Sequence, residues 1–272
     1  MNQIDIIRRN NVKVTGQGGP TLLLAHGFGC DQNMWRFITP QLERHYRLVL
    51  FDYVGSGRSQ LSAFDHDRYA SLDGYAQDII EICATLGLGE VTLVGHSVSG
   101  IIGLLASLQA PEYIASHVMV CPSPCFMNVP PDYEGGFEQQ DLQSLIDLMD
   151  KNYIGWAHYL APLVMGPGNG EALAGELSGS FCSTDPVVAK AFAMATFFSD
   201  HRHVLADAQH PSLILQSRWD NLAPPEVGRY MQAHMLDSSL EMLEVEGHCP
   251  HMSHPGLVVE ALQGFLAERR YS

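Results

Sequence analysis

The chain has 272 residues, 46% hydrophobic and 17% charged, which suits one large domain with a substantial buried core and room for an insertion. A formal net charge of −15 would repel a phosphate backbone and argues against nucleic-acid binding. No basic segment leads into an apolar stretch at the start, no run approaches the roughly 20 apolar residues of a membrane span, and the six cysteines lack framework spacing. A cytoplasmic location with reduced thiols, and no membrane association, is the expectation.

Residues 4–14 predict an opening pair of strands, and residues 16–20 a turn. Residues 21–26 predict a strand, 34–44 a helix and 46–52 a second strand. The loop Asp52-Tyr53-Val54-Gly55-Ser56-Gly57-Arg58-Ser59 resembles a phosphate cradle only superficially, because it lacks a Gly-Lys-Ser/Thr ending and a helix directly after it. A helix over 72–86, a strand over 91–96, a helix over 98–109 and a strand over 116–121 follow. Strands alternating with helices of ten or more residues predict a mostly parallel, doubly wound α/β sheet.

The alternation stops after Cys121 and resumes at Ser212, with strands over 212–216 and 240–245. Between them, residues 127–206 carry helical patterns over 138–151, 153–165, 171–181 and 186–199, broken by Gly, Pro and Asp. The expected organisation is a core of residues 1–126 and 207–272, with a helical cap of residues 127–206 inserted over the C-terminal edge of the sheet.

At Gly95-His96-Ser97-Val98-Ser99 there is no room for a loop between strand and helix. A serine at such an elbow is held strained, its hydroxyl exposed above the sheet. The second small position of the Gly-x-Ser-x-Gly template is filled by Ser99, with Gly100 directly after. In an α/β-hydrolase the elbow serine is followed in the chain by an acid and then a histidine, each at a strand end. Asp220 follows the 212–216 run and His248 follows the 240–245 run. The expected triad is therefore Ser97 as nucleophile, His248 as base and Asp220 as orienting acid. Rival bases are His251 and His254; rival acids are Asp132, Glu134 and Asp52, the last read as stabilising its own turn.

The loop His26-Gly27-Phe28-Gly29 sits where this fold places its second oxyanion donor, so the backbone N–H groups of Phe28 and Val98 are expected to hold the oxyanion. His96 reads as a packing neighbour of the nucleophile that also lines the pocket. A zinc reading of His248-Cys249-Pro250-His251 has no second cluster to support it, so neither metal nor cofactor is expected. The reaction class excluded by a serine at position 97 is that of the dehalogenases and epoxide hydrolases, which need aspartate there.

With these residues placed, the sequence resembles the RsbQ group of α/β-hydrolases, bacterial stress-response regulators related to the plant strigolactone and karrikin receptors. The resemblance runs over essentially the whole chain. It is carried by His26-Gly27-Phe28-Gly29-Cys30-Asp31-Gln32, Asn152-Tyr153-Ile154-Gly155-Trp156, Phe197-Phe198-Ser199-Asp200-His201-Arg202 and above all Gly247-His248-Cys249-Pro250-His251-Met252-Ser253-His254-Pro255. It implies a four-helix, V-shaped cap over a hydrophobic pocket at Phe28, Phe126, Phe137, Trp156 and Phe197. It also implies slow hydrolysis of a small ester or lactone, or relay of a small-molecule signal to a protein partner, a signalling phosphatase in the RsbQ case. The chain departs from the pattern at Ser99 and at Arg218-Trp219 beside the acid.

Overall fold

Short apolar runs such as Leu22-Leu23-Leu24 bury both of their faces, and they assemble into a sheet covered on both sides. The computed structural model describes residues 3–269. Its strands are β1 (Lys13–Thr15), β2 (Thr21–Ala25), β3 (Arg47–Leu50), β4 (Val91–His96), β5 (Ile114–Val120), β6 (Ser212–Trp219) and β7 (Ser238–Glu246). They form one sheet in the order β1-β3-β2-β4-β5-β6-β7. β1 pairs antiparallel with β3, and the remaining pairings are parallel. All six residues of β4 are buried, so the elbow serine leaves the sheet from its core.

Helices α1 (Gln3–Arg9), α2 (Thr39–Leu42), α3 (Leu72–Leu86), α4 (Val98–Gln109), α9 (Pro225–His234), α10 (Pro250–Ser253) and α11 (Pro255–Arg269) belong to the sheet region. Helices α5 (Gln139–Lys151), α6 (Tyr153–Met165), α7 (Glu171–Ser183) and α8 (Pro186–Phe197) lie in the chain between β5 and β6. These inserted helices lean on the loops at the C-terminal ends of the strands. Ser180 Oγ donates to Gly29 O at 2.8 Å, and a Cβ on Gly29 would strike the Phe181 ring. The α6 end is tied to the loop after β7: His248 N donates to Val164 O at 2.7 Å, and Asn169 Nδ2 to Glu246 O at 2.7 Å. Gly247, at φ +91°, lies against Met165 O so closely that a Cβ could not fit.

The opening of the chain differs from the expectation of two strands. Residues 3–9 form helix α1, and only Lys13–Thr15 pair with the sheet. Arg8 and Arg9 lie in the last turn of α1, where positive charge complements the helix dipole. The Arg9 guanidinium reaches Asp78 at 3.0 Å and Glu81 on α3, a tertiary anchor that no local pattern announces. The single helix expected over 34–44 is a 3₁₀ turn (Gln32–Phe37) and the short α2, with Pro40 in its first turn, where the missing N–H would have no intrahelical acceptor. Among the described residues no helix is long and apolar enough to cross a membrane. All six cysteines are free thiols.

Candidate active site

Ser97 joins β4 directly to α4 with φ +57° and ψ −127°, a conformation that costs energy for any residue with a Cβ. Close packing explains the glycine at 95: a Cβ there would stand 2.5 Å from Ser99 O. Ser99 is tolerated because its side chain points to β2 and β3 rather than β4. Its hydroxyl donates to His26 O at 2.5 Å and accepts from Tyr53 OH at 3.0 Å.

His248 follows β7 and Asp220 follows β6, and the fold brings both to Ser97. Ser97 Oγ lies 2.8 Å from His248 Nε2, and His248 Nδ1 lies 2.7 Å from Asp220 Oδ2. Asp220 Oδ1 accepts from Leu222 N at 2.8 Å and Ala223 N at 3.2 Å, which fixes the carboxylate. With the carboxylate at Nδ1, the imidazole carries its proton there and turns the Nε2 lone pair to the serine hydroxyl. All three side chains are buried. The rivals fall elsewhere. Asp132 and Glu134 are exposed, and His254 Nδ1 meets Ser253 Oγ at 2.9 Å. Asp52 knits loops together, accepting from Asn11 Nδ2, Gln32 N and Arg58 N at 2.7–2.9 Å.

Val98 is the first residue of α4, so its N–H has no intrahelical acceptor and is free to meet an anion. Phe28 sits on the loop after β2. Its ring is held by Trp156, Phe181, Phe192 and Phe197 of the inserted helices, at centroid distances of 5.4–6.2 Å.

His96 Nε2 lies 2.9 Å from His248 O, which makes it a donor to the backbone of the base. His251 stacks between His96 and Trp35, with ring centroids 4.6 Å from each, and neither of its nitrogens has a partner. Burial pushes His251 down to about 3, and burial with two neighbouring imidazoles, His251 and His248, holds His96 well below the ordinary histidine range. Both rings are therefore neutral near neutral pH, and neither opposes a positive charge on His248. Cys249 Sγ lies 3.8 Å from His96 Nε2, so His96, Cys249 and His251 converge as a buried cluster of potential metal ligands. The spacing His248-Cys249-Pro250-His251 hid that cluster, because one member comes from the distant elbow.

The cavity over Ser97 is lined by Phe28, Leu160, Phe181, Thr196, Phe197 and Leu222, together with His96, His248 and Cys249. Its volume is about 20 Å³, on a measure in which one water needs about 10–15 Å³. A separate groove of about 560 Å³, which includes Phe137, Leu145 and Tyr159, shares Leu160 and Leu222 with it. Of the six expected pocket residues, Phe28, His96 and Phe197 line the cavity. The other three require correction. Phe126 packs behind Phe197 at 5.2 Å, Trp156 packs behind Phe28 and Phe181, and Phe137 faces the groove.

The model of the alpha/beta hydrolase family matches residues 22–261. The chain is 39% identical to karrikin insensitive 2 receptor CA of Petunia hybrida over 254 residues, covering 93% of this chain and 94% of the relative. It is 36% identical to strigolactone esterase D14 of Arabidopsis thaliana over 267 residues, covering 98% and 99%. Among solved structures, a hydrolase from Oleispira antarctica superposes with a TM-score of 0.96 at 56% identity, covering 98% of each chain.

Proposed function

The chain belongs to the alpha/beta hydrolase family, and from that premise we propose that it is a serine hydrolase of small esters or lactones, with the inserted helices as its cap. The observation that carries this reading is the buried chain of contacts from Ser97 to His248 at 2.8 Å and on to Asp220 at 2.7 Å. His248 takes the Ser97 proton as the hydroxyl oxygen attacks the ester carbonyl, and the Asp220 carboxylate stabilises the resulting imidazolium. The N–H groups of Phe28 and Val98 hold the tetrahedral oxyanion. His248 then hands its proton to the leaving alcohol, which leaves Ser97 acylated. A water deprotonated by the same imidazole adds to the acyl carbonyl and releases the acid.

The small cavity supports a short acyl group on Ser97, with the bulkier alcohol portion directed to the groove beyond Leu160 and Leu222. The test is intact-protein mass spectrometry with a library of small esters and lactones. Ser97 should gain the acyl mass, and Ser97→Ala should gain none.

A second reading is favoured by the receptor named among the relatives. In it, pocket occupancy is relayed to a protein partner, of which the phosphatase implied by the RsbQ resemblance is one form. A ligand relays a signal only if it binds two cap positions with different affinity. Pull-down from native cytosol with and without hydrolysable ligand, repeated with Ser97→Ala, separates the two. A specific partner whose capture depends on ligand supports relay, whereas fast multiple turnover with no partner supports a metabolic esterase.

A further inference from the structure

Thr196 is a polar side chain in an apolar wall. It lies on α8 and is 2% exposed, and it lines the cavity over Ser97 beside Phe197. The other lining residues contributed by the inserted helices, Leu160, Val164, Leu177, Phe181 and Phe197, are apolar. A threonine inside a helix ordinarily turns its hydroxyl back to the carbonyl four residues earlier. Here Thr196 Oγ1 has no hydrogen-bond partner at all. Leaving a buried hydroxyl unpaired is unfavourable, so such a group is a candidate for contact with something that enters the cavity.

Of the other polar side-chain atoms around the cavity, three are paired and one, His96 Nδ1, also lacks a partner but is turned away from the cavity's inserted helices. Ser97 Oγ and His248 Nε2 face each other, and His96 Nε2 faces His248 O. His96 Nδ1 lies against the Cα of Gly27, where a Cβ could not fit. The position of Thr196 along α8 is set by its neighbours. Phe192, four residues earlier on the same helix face, and Phe197 both pack on the Phe28 ring, at 5.6 and 5.4 Å. This turn of α8 therefore stands over the loop that carries the Phe28 N–H.

We infer that Thr196 is a specificity-determining residue. Its hydroxyl donates to a second oxygen of the substrate, an ether or keto oxygen carried by the acyl group or lactone ring beyond the carbonyl under attack. The substrate class narrows accordingly, from short acyl esters in general to alkoxyacyl or oxoacyl esters and oxygen-substituted lactones. This inference rests on the serine-esterase reading above. Sites built to pair a substrate polar group discriminate against the analogue that lacks it, because the protein group is then left unpaired.

The test uses two esters that differ only by an oxygen in place of a methylene, p-nitrophenyl methoxyacetate and p-nitrophenyl butyrate. The ratio of their kcat/KM values is compared between variants, so their difference in intrinsic reactivity cancels. Thr196→Val, which keeps the shape and removes the hydroxyl, should lower the ratio about 3- to 10-fold, the range for one neutral hydrogen bond. Thr196→Ser should retain it. The Tm of Thr196→Val should equal or exceed that of the wild type, because no internal partner is lost. An unchanged ratio in Thr196→Val, with both esters still turned over, overturns the inference and leaves the esterase reading standing. A Tm lowered by several degrees, or a variant that does not fold, also overturns it, because the hydroxyl would then have a structural partner. If the wild type hydrolyses neither ester and Ser97 resists a fluorophosphonate label, the esterase reading fails and the inference falls with it.

Discussion

Restoring the glycine of the elbow template at position 99 should weaken this protein. Ser99 is fully buried, and its hydroxyl bridges His26 O and Tyr53 OH, at 2.5 and 3.0 Å. Since Ser99 donates to the carbonyl, the Tyr53 phenol must be the donor to Ser99 Oγ. Ser99→Gly removes that acceptor and strands a phenol that is 0% exposed, at a cost of about 1–3 kcal/mol. Glycine in the first turn of α4 adds up to about 1 kcal/mol, for a total of about 1–4 kcal/mol. At about 2.1 cal/mol/K per residue over 272 residues, the unfolding entropy converts this to a Tm lower by roughly 2–7 °C. The assay is a double-mutant cycle by thermal or urea unfolding with Tyr53→Phe, which removes the phenol hydroxyl. In the phenylalanine background Ser99→Gly strands no donor, so its cost should shrink by about 1–2 kcal/mol. Full stability in Ser99→Gly, or strictly additive costs in the cycle, would refute the bridge.

Ser97→Ala should abolish hydrolysis of p-nitrophenyl acetate by on the order of 10³-fold or more with the fold intact, and wild-type-like turnover in a steady-state assay would remove the nucleophile. His248→Ala and Asp220→Asn should be comparably severe and His251→Ala much milder; a crippled His251→Ala alongside an active His248→Ala would reverse the base. Leu222→Ala should join the 20 Å³ cavity to the 560 Å³ groove, so that an acetate-to-octanoate ester series shifts toward longer chains, and an unshifted profile would contradict the partition. His251 and His117, both pushed down to about 3, stay neutral in the fold while the unfolded chain takes up protons below about 6.5. The sign is therefore a loss of stability as pH falls from about 6.5 toward 3, near 1.4 kcal/mol per pH unit for each ring. His251→Phe should flatten the acid slope by one such contribution, about 2 kcal/mol between pH 7.5 and 5.0 in urea unfolding, and an unchanged slope would show that the ring titrates normally.

Much of the site was legible because its signals are local. Ser97 lies between a buried strand and a helix with no residue to spare, and Asp220 and His248 each follow an apolar run directly. The four inserted helices were equally visible, as helical spacing broken by Gly, Pro and Asp. What escaped detection depends on distance. Residues 4–9 hold a short apolar run that fits strand or helix, and only Asp78 and Glu81, about 70 residues away, settle it as α1. The His96, Cys249 and His251 cluster joins two segments that share no motif. Aromatic residues drew attention as the pocket wall, and Phe28 and Phe197 do line the cavity, whereas Phe126 and Trp156 pack behind such rings in a second layer that no local pattern distinguishes. Thr196 gave no sign at all, because a threonine in an apolar helix becomes unusual only when its hydroxyl is seen to lack a partner.

The fastening of α6 to the loop after β7 determines which parts of the molecule can move independently. His248 N is bonded to Val164 O, Asn169 Nδ2 bridges Met165 O and Glu246 O, and Asn221 Nδ2, beside the acid, holds Leu163 O. Backbone of α6 is thus bonded to the backbone of His248 and to the side chain of Asn221, the residue after Asp220, so a displacement of α6 would pull on the imidazole that faces Ser97. The chain next to α5 and α8 is held as well, Phe137 N donating to Phe126 O at 3.1 Å and His201 N to Pro124 O at 2.8 Å. Under the proposed mechanism α6 is fastened to the groups that carry the chemistry, and a ligand that displaced it would disarm the triad by the same movement.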